Sequence, residues 1–187
     1  MIAQLPKVNL SHWLLFASLA CFSFTIFLLW QRHTPVTLSF TNYPQRYNSY
    51  SLTAEDPSTP NTLTIVELGI DSLPIIPGRV VSGRWPVSPK GLIHLTDSPQ
   101  PGDVGNSIIY GHNWPNLLGP LSRAVPGQII KVTNAAGELR LFSITKVSIV
   151  SPDQTDLLAP TDSPVLTIYT CTGFLDTLRL VVTATPL

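Results

Sequence analysis

The sequence predicts an all-β domain, a barrel or a sandwich, behind a single N-terminal transmembrane helix. Three observations lead there. The stretch Trp13–Trp30, WLLFASLACFSFTIFLLW, carries no charge. It is long enough to cross a bilayer and has a Trp at each end, where interfacial aromatics are favoured. From Thr62 onward, short apolar or alternating runs recur between Pro, Gly, Asn and Asp, which is the punctuation of strands and turns. The 18 prolines work against long helices.

The apolar stretch has competing readings. A cleaved signal peptide calls for a shorter apolar core and a small-x-small exit, whereas this one leaves through Trp30-Gln31-Arg32-His33. A buried core helix is another, but a helix apolar all round at the extreme N-terminus fits an anchor better. Residues 1–12 are therefore a short flank and 13–30 an uncleaved, single-pass signal anchor. Lys7 and the amino terminus precede the span and Arg32 follows it, so the positive-inside count is close to a tie. An N-inside, C-outside orientation is expected because the rest of the chain reads as an exported domain.

Residues 31–61 are rich in Ser, Thr, Asn, Pro and Tyr, and Tyr50–Asn61 has little apolar periodicity. They read as a linker or stalk, with local structure near Val36–Phe40 left open. Residues 62–187 form the domain. Strand signals fall at Thr62–Leu68, near Gly78–Val81, around His94, and at Ser107–Tyr110, Gln128–Thr133, Glu138–Val150, Val165–Thr170 and Leu178–Thr183. Asn134–Gly137 reads as a hairpin turn, and a short helix fits Leu117–Arg123.

At 187 residues the chain suffices for one domain with a sizeable core plus an appendage. Its 11 basic and 11 acidic residues cancel, with no basic run, which argues against a nucleic-acid partner. Of the two cysteines, Cys21 lies in the proposed span and Cys171 near the C-terminus, so they are not expected to pair. A lone thiol in an exported domain is either a liability or a tool.

Cys171 ends the β-branched and aromatic run Val165–Thr170 and opens a loop, a placement suited to presenting a thiol. The plainer reading is a small buried hydrophobe. A thiol becomes a useful nucleophile beside a base or a positive charge. His12 and His33 flank the span and are poor candidates. His112 stands where the run Ser107–Tyr110 opens into a loop; His94 alternates with Ile93 and Leu95 and reads as one face of a strand. Arg179 is embedded in the apolar run Leu178–Val182. An exposed-face arginine is the ordinary reading. The short connection from Cys171 makes antiparallel pairing reasonable, and Arg179 would then stand beside the thiol, where a guanidinium stabilises a developing oxyanion. Asp153, Asp156 and Asp162 share a loop and could bind calcium, but scattered loop acids are more often solvated. No metal-ligand spacing is present, and neither metal nor cofactor is expected.

Together these segments resemble the sortase family. Thr167-Ile-Tyr-Thr-Cys171 resembles its TLxTC signature, with Ile168 in place of Leu. Arg179 in LRLVV resembles the arginine on the following strand, and Pro101–His112 resembles the segment ending in the family's histidine. Leu118–Val132 resembles the stretch that follows, although members usually carry Gly-Asp where this chain has Gly127-Gln128. The resemblance covers about residues 62–187. It implies an eight-stranded β-barrel with one or two short helices, and a membrane-anchored cysteine transpeptidase/endopeptidase of the cell envelope. Such an enzyme cleaves an LPxTG-like sorting signal on an exported protein through a Cys thioacyl intermediate. It passes the acyl group to an amine on a cell-wall precursor or a pilin lysine. Cys171 would be the nucleophile, His112 the acid and base, Arg179 the oxyanion stabiliser, and Thr170 an aid to substrate binding.

Three rivals stand beside this. A cysteine hydrolase with the same dyad differs only in using water to resolve the acyl enzyme. An L,D-type transpeptidase would carry a Ser/His-rich block before the cysteine, which Thr167–Thr170 lacks. A membrane-tethered, non-catalytic β-module, or an inactive sortase relative binding a protein partner, would keep Cys171 as an inert core thiol.

Overall fold

The computed structural model describes residues 10–31, 38–41 and 57–187. The chain divides into two compact units, Met1–Thr34 and Pro35–Leu187.

The first unit holds helix α1 (Leu10–Gln31). Its segment Ser11–Leu29 is long and apolar enough to span a membrane. Two of its hydroxyls turn back on the helix: Ser18 Oγ donates to Leu15 O and Thr25 Oγ1 to Cys21 O. Such bonds satisfy polar side chains without water, as an apolar surrounding requires.

The second unit is a closed barrel. Its strands are β1 (Pro60–Ile65), β2 (Ile70–Gly78), β3 (Leu92–Leu95), β4 (Gly105–Tyr110), β5 (Ile129–Asn134), β6 (Leu139–Val150), β7 (Pro164–Thr172) and β8 (Leu178–Pro186). They run around the barrel in the order β1-β2-β3-β4-β7-β8-β6-β5. The β2–β3 and β4–β7 pairs are parallel, and the other pairs are antiparallel. Of the strand signal near Gly78–Val81, only Gly78 lies in a strand, as the last residue of β2, and Val81 forms an isolated bridge with Arg84. The β2 strand contains Pro74 and Pro77 and buries only Ile70 and Ile75, so its alternation is weak. The β5–β6 turn closes at Asn134–Gly137: Gly137 takes a φ of 83°, and Glu138 N donates to Asn134 Oδ1 at 2.8 Å. The short helix expected over Leu117–Arg123 is a 3-10 turn, Gly119–Arg123.

Alternation along the strands builds two cores. The barrel interior takes Leu63, Ile65, Phe142, Leu166, Ile168 and Val182. The opposite face of β4, β7 and β8 carries Ile108, Tyr110, Tyr169, Cys171 and Val181. Loops and one distant segment cover that outer face through Leu38, Phe40, Trp85 and Leu158. Tyr110 and Tyr169 stack at 5.1 Å, and Trp85 meets Tyr110 edge-on at 5.3 Å. Burial pushes the Tyr110 phenol well above its usual range, and its hydroxyl donates to Pro86 O at 2.9 Å. Leu38 and Phe40 fall in the stretch expected as a linker; they are buried parts of the second unit. The remainder of that stretch up to Asp56 lies outside the described residues.

Candidate active site

Of the four residues singled out by sequence, Cys171 and Arg179 share the outer face, and His112 lies two residues past the end of β4, the strand paired with β7. Cys171 and Arg179 are direct cross-strand partners in the β7–β8 ladder. Tyr110 is level with Tyr169 in the parallel β4–β7 pair, and Gly111 N extends that ladder by donating to Tyr169 O at 3.3 Å. Two residues on from each tyrosine stand His112 and Cys171. The period of two keeps Cys171, inside β7, on the side of Tyr169, whereas His112 has left β4.

The position of His112 is closely determined. Thr170 Oγ1 donates to Gly111 O at 2.8 Å, which ties the end of β4 to β7. A Cβ on Gly111 would lie 2.8 Å from Leu92 Cδ2, so a larger residue there would push the end of β4 away. His112 O accepts from Leu118 N at 3.1 Å. The imidazole stacks on Trp114 with ring centroids 4.4 Å apart and planes 8° from parallel. Thr170 belongs with this scaffold: its side chain alternates away from Cys171, is buried, and commits its hydroxyl to Gly111. The structure does not bring it onto the face shared by Cys171 and Arg179.

Arg179 is buried, at 4% exposure, rather than lying on an exposed strand face. Its Nη1 donates to Asp176 O at 3.0 Å and Leu178 O at 2.9 Å, and Nη2 to Ser39 O at 2.8 Å. Its Nε is buried with no hydrogen-bond partner. The one ion pair among the described residues joins Arg79 to Asp97, so no carboxylate there neutralises Arg179. A buried guanidinium whose described partners are carbonyls is left with a strong attraction for an anion nearby. The adjacent cross-strand residue is the cysteine.

The loop between β7 and β8 is strained. Leu175 and Asp176 take φ values of 53° and 59°, in a region disfavoured for residues with a Cβ. The reward is the Asp176 carbonyl aimed at Arg179. Phe174, in the same loop, is 80% exposed.

His94, the alternative histidine, takes no part. It is fully buried and pairs with Ile109, whose side chain belongs to the barrel interior. Its Nε2 is 3.1 Å from Pro99 O, and its Nδ1 has no partner. Burial pushes its pKa down to about 4, so it is a neutral core residue at physiological pH. Asp153, Asp156 and Asp162 are exposed, and no cluster of His, Cys, Asp or Glu among the described residues is arranged to hold a metal ion. The two cysteines are not joined in a disulfide.

Sequence reasoning missed Ser39 and Phe40. The alternation Leu38-Ser39-Phe40 was the available signal, too short to outweigh its Ser/Thr/Pro-rich surroundings.

The comparisons agree with this fold. A family model described as the sortase domain matches residues 63–187. Sortase A from Corynebacterium diphtheriae is similar in structure, with a TM-score of 0.58 and 28% identity over 67% of this chain and 59% of that one. This chain therefore spans less than two thirds of that protein. A sortase D5 transpeptidase from Clostridium perfringens gives a TM-score of 0.58 and 25% identity, covering 67% and 77% of the two chains. Sortase C-1 from Actinomyces oris, at 22% identity, TM-score 0.57 and coverage of 67% and 72%, shares the fold. No curated protein matches the chain in sequence. With the barrel, the domain match and these neighbours in agreement, the chain belongs to the sortase family.

Proposed function

We propose that this chain is a membrane-anchored transpeptidase whose nucleophile is Cys171. The observation that carries the reading is a buried guanidinium with no carboxylate partner among the described residues, paired across strands with a cysteine whose other neighbouring strand, β4, ends two residues before His112. His112 takes the thiol proton, and the sulfur adds to the threonine carbonyl of an LPxTG-like sorting signal on an exported protein. Arg179 stabilises the resulting oxyanion. As the carbon–nitrogen bond breaks, the imidazolium returns its proton to the leaving amine, leaving a thioester. An amine on a cell-wall precursor or a pilin lysine then loses a proton to His112 and attacks that thioester, releasing the thiol. Thr170 serves by holding the β4 end in place rather than by touching substrate. The α1 helix anchors the enzyme, with the barrel on the extracytoplasmic side.

The test uses the full chain in detergent micelles with LPxTG-like peptides, with and without triglycine. A ligated product that forms only with triglycine supports transfer; products indifferent to it would mean hydrolysis. One observation favours the second reading, a non-catalytic β-module: Cys171 is only 3% exposed. On that reading the thiol resists iodoacetamide, and no peptide forms an adduct.

A further inference from the structure

Arg179 is held by acceptors of two kinds. The carbonyls of Asp176 and Leu178 are close in sequence and come with the β7–β8 loop. The third, Ser39 O, comes from 140 residues upstream. Its segment, Leu38–Thr41, is fastened at several points. Leu38 is buried in the outer core. Phe40 meets Tyr169 edge-on at 4.9 Å and lies beneath Arg179, with Cζ 5.9 Å from the ring centroid. Thr41 donates to Pro152 O from both its backbone N, at 2.9 Å, and its hydroxyl, at 3.1 Å.

We infer that this strap is a working part of the site and that Phe40 is a positioning residue for Arg179, fixing the guanidinium plane so that Nε–H is presented to the substrate. The inference deepens the transpeptidase reading and rests on it. A guanidinium is planar, so fixing Nη1 and Nη2 also fixes the direction of Nε–H. Three of its five N–H donors, two on Nη1 and one on Nη2, go to carbonyls, and the buried Nε has no partner among the described residues. The aromatic face attracts the cation and keeps Ser39 O in register with Nη2. Without Phe40, Nη2 loses its distant acceptor and the plane can turn. A misplacement of about 1 Å at a reacting centre can cost on the order of 100-fold in rate.

The experiment uses the full chain in detergent, with an LPATG peptide and triglycine as probes. Phe40→Ala is expected to lower kcat about tenfold while KM changes less than about twofold, a split that simple loss of folded protein would not give. Phe40→Ala/Arg179→Ala is expected to be no slower than Arg179→Ala, because the phenylalanine acts through the arginine. Thr41→Val loosens the strap more gently and shifts kcat in the same direction should Phe40→Ala fail to fold. Hydrogen exchange of the Arg179 Nε–H, followed by nitrogen-15 NMR without substrate, is expected to quicken about tenfold or more in either strap variant. Independent losses in the double variant, or unchanged exchange, would overturn the inference. A wild type that forms no acyl enzyme but shows strap-dependent exchange would count against the transpeptidase reading and leave the positioning of Arg179 standing.

Discussion

Two histidines stand in or beside strands of the barrel wall, and they have opposite characters. In the interior, His94 is fully buried between apolar strands and is driven neutral, with its pKa pushed down to about 4. By contrast, His112 stands just past the end of β4, partly exposed and stacked on Trp114. Residue type does not separate them. Strand parity and distance from the strand end do, because a side chain inside a closed barrel cannot reach substrate, whereas one past a strand's end can.

That contrast can be broken or sharpened by experiment. The largest effect is expected from His112→Ala, which should lower peptide cleavage more than about 1,000-fold, whereas His94→Gln should leave kcat/KM of its folded fraction within about threefold. Steady-state kinetics beside a thermal melt would compare them. Next, Arg179→Ala should cost roughly 100- to 1,000-fold in kcat, and Arg179→Lys should recover little, because three carbonyls arranged for a planar fork do not suit a point charge.

His94 should instead appear in the pH dependence of stability. Its folded pKa of about 4 lies below the 6.5 of the unfolded chain, so between those values the unfolded state binds more protons. The stability is complete above that window and falls as pH drops through it, by up to about 3 kcal/mol. Denaturant titrations at pH 7 and pH 4.5 should show the decline in wild type, and His94→Gln should lose that component. Gly111→Ala places a Cβ 2.8 Å from Leu92 Cδ2 and should destabilise the barrel by about 1–3 kcal/mol, with a larger fall in turnover than in KM as His112 shifts. Trp114→Ala, smallest of the set, should remove a stacking contact of about 1 kcal/mol and slow turnover roughly fivefold.

The same contrast separates what the sequence conveyed from what it did not. The pairing of Cys171 with Arg179 was legible because a short loop joins two strongly β-forming runs, which leaves antiparallel pairing as the economical arrangement. The expectation that His112 serves Cys171 came only through family resemblance. It depends on a parallel β4–β7 pair joining segments far apart in sequence, and no local pattern specifies that neighbour. The burial of Arg179 was hidden for a related reason: alternation says which side of a strand a residue faces, not whether distant chain covers that side. Leu38–Thr41 supplies the cover here, from a region whose composition reads as a stalk. The strands themselves were largely legible, with β2 the least so because its prolines interrupt the pattern.

The most direct test of the central claim is the intact mass of the full chain after brief exposure to an LPATG peptide without an added amine. A shared Cys171–His112–Arg179 site predicts a mass increase equal to the acyl fragment on Cys171 in wild type and in His94→Gln. It predicts no increase in Cys171→Ala and at most a trace in His112→Ala. An adduct of equal yield in His112→Ala, or one that persists in Cys171→Ala, would contradict the account.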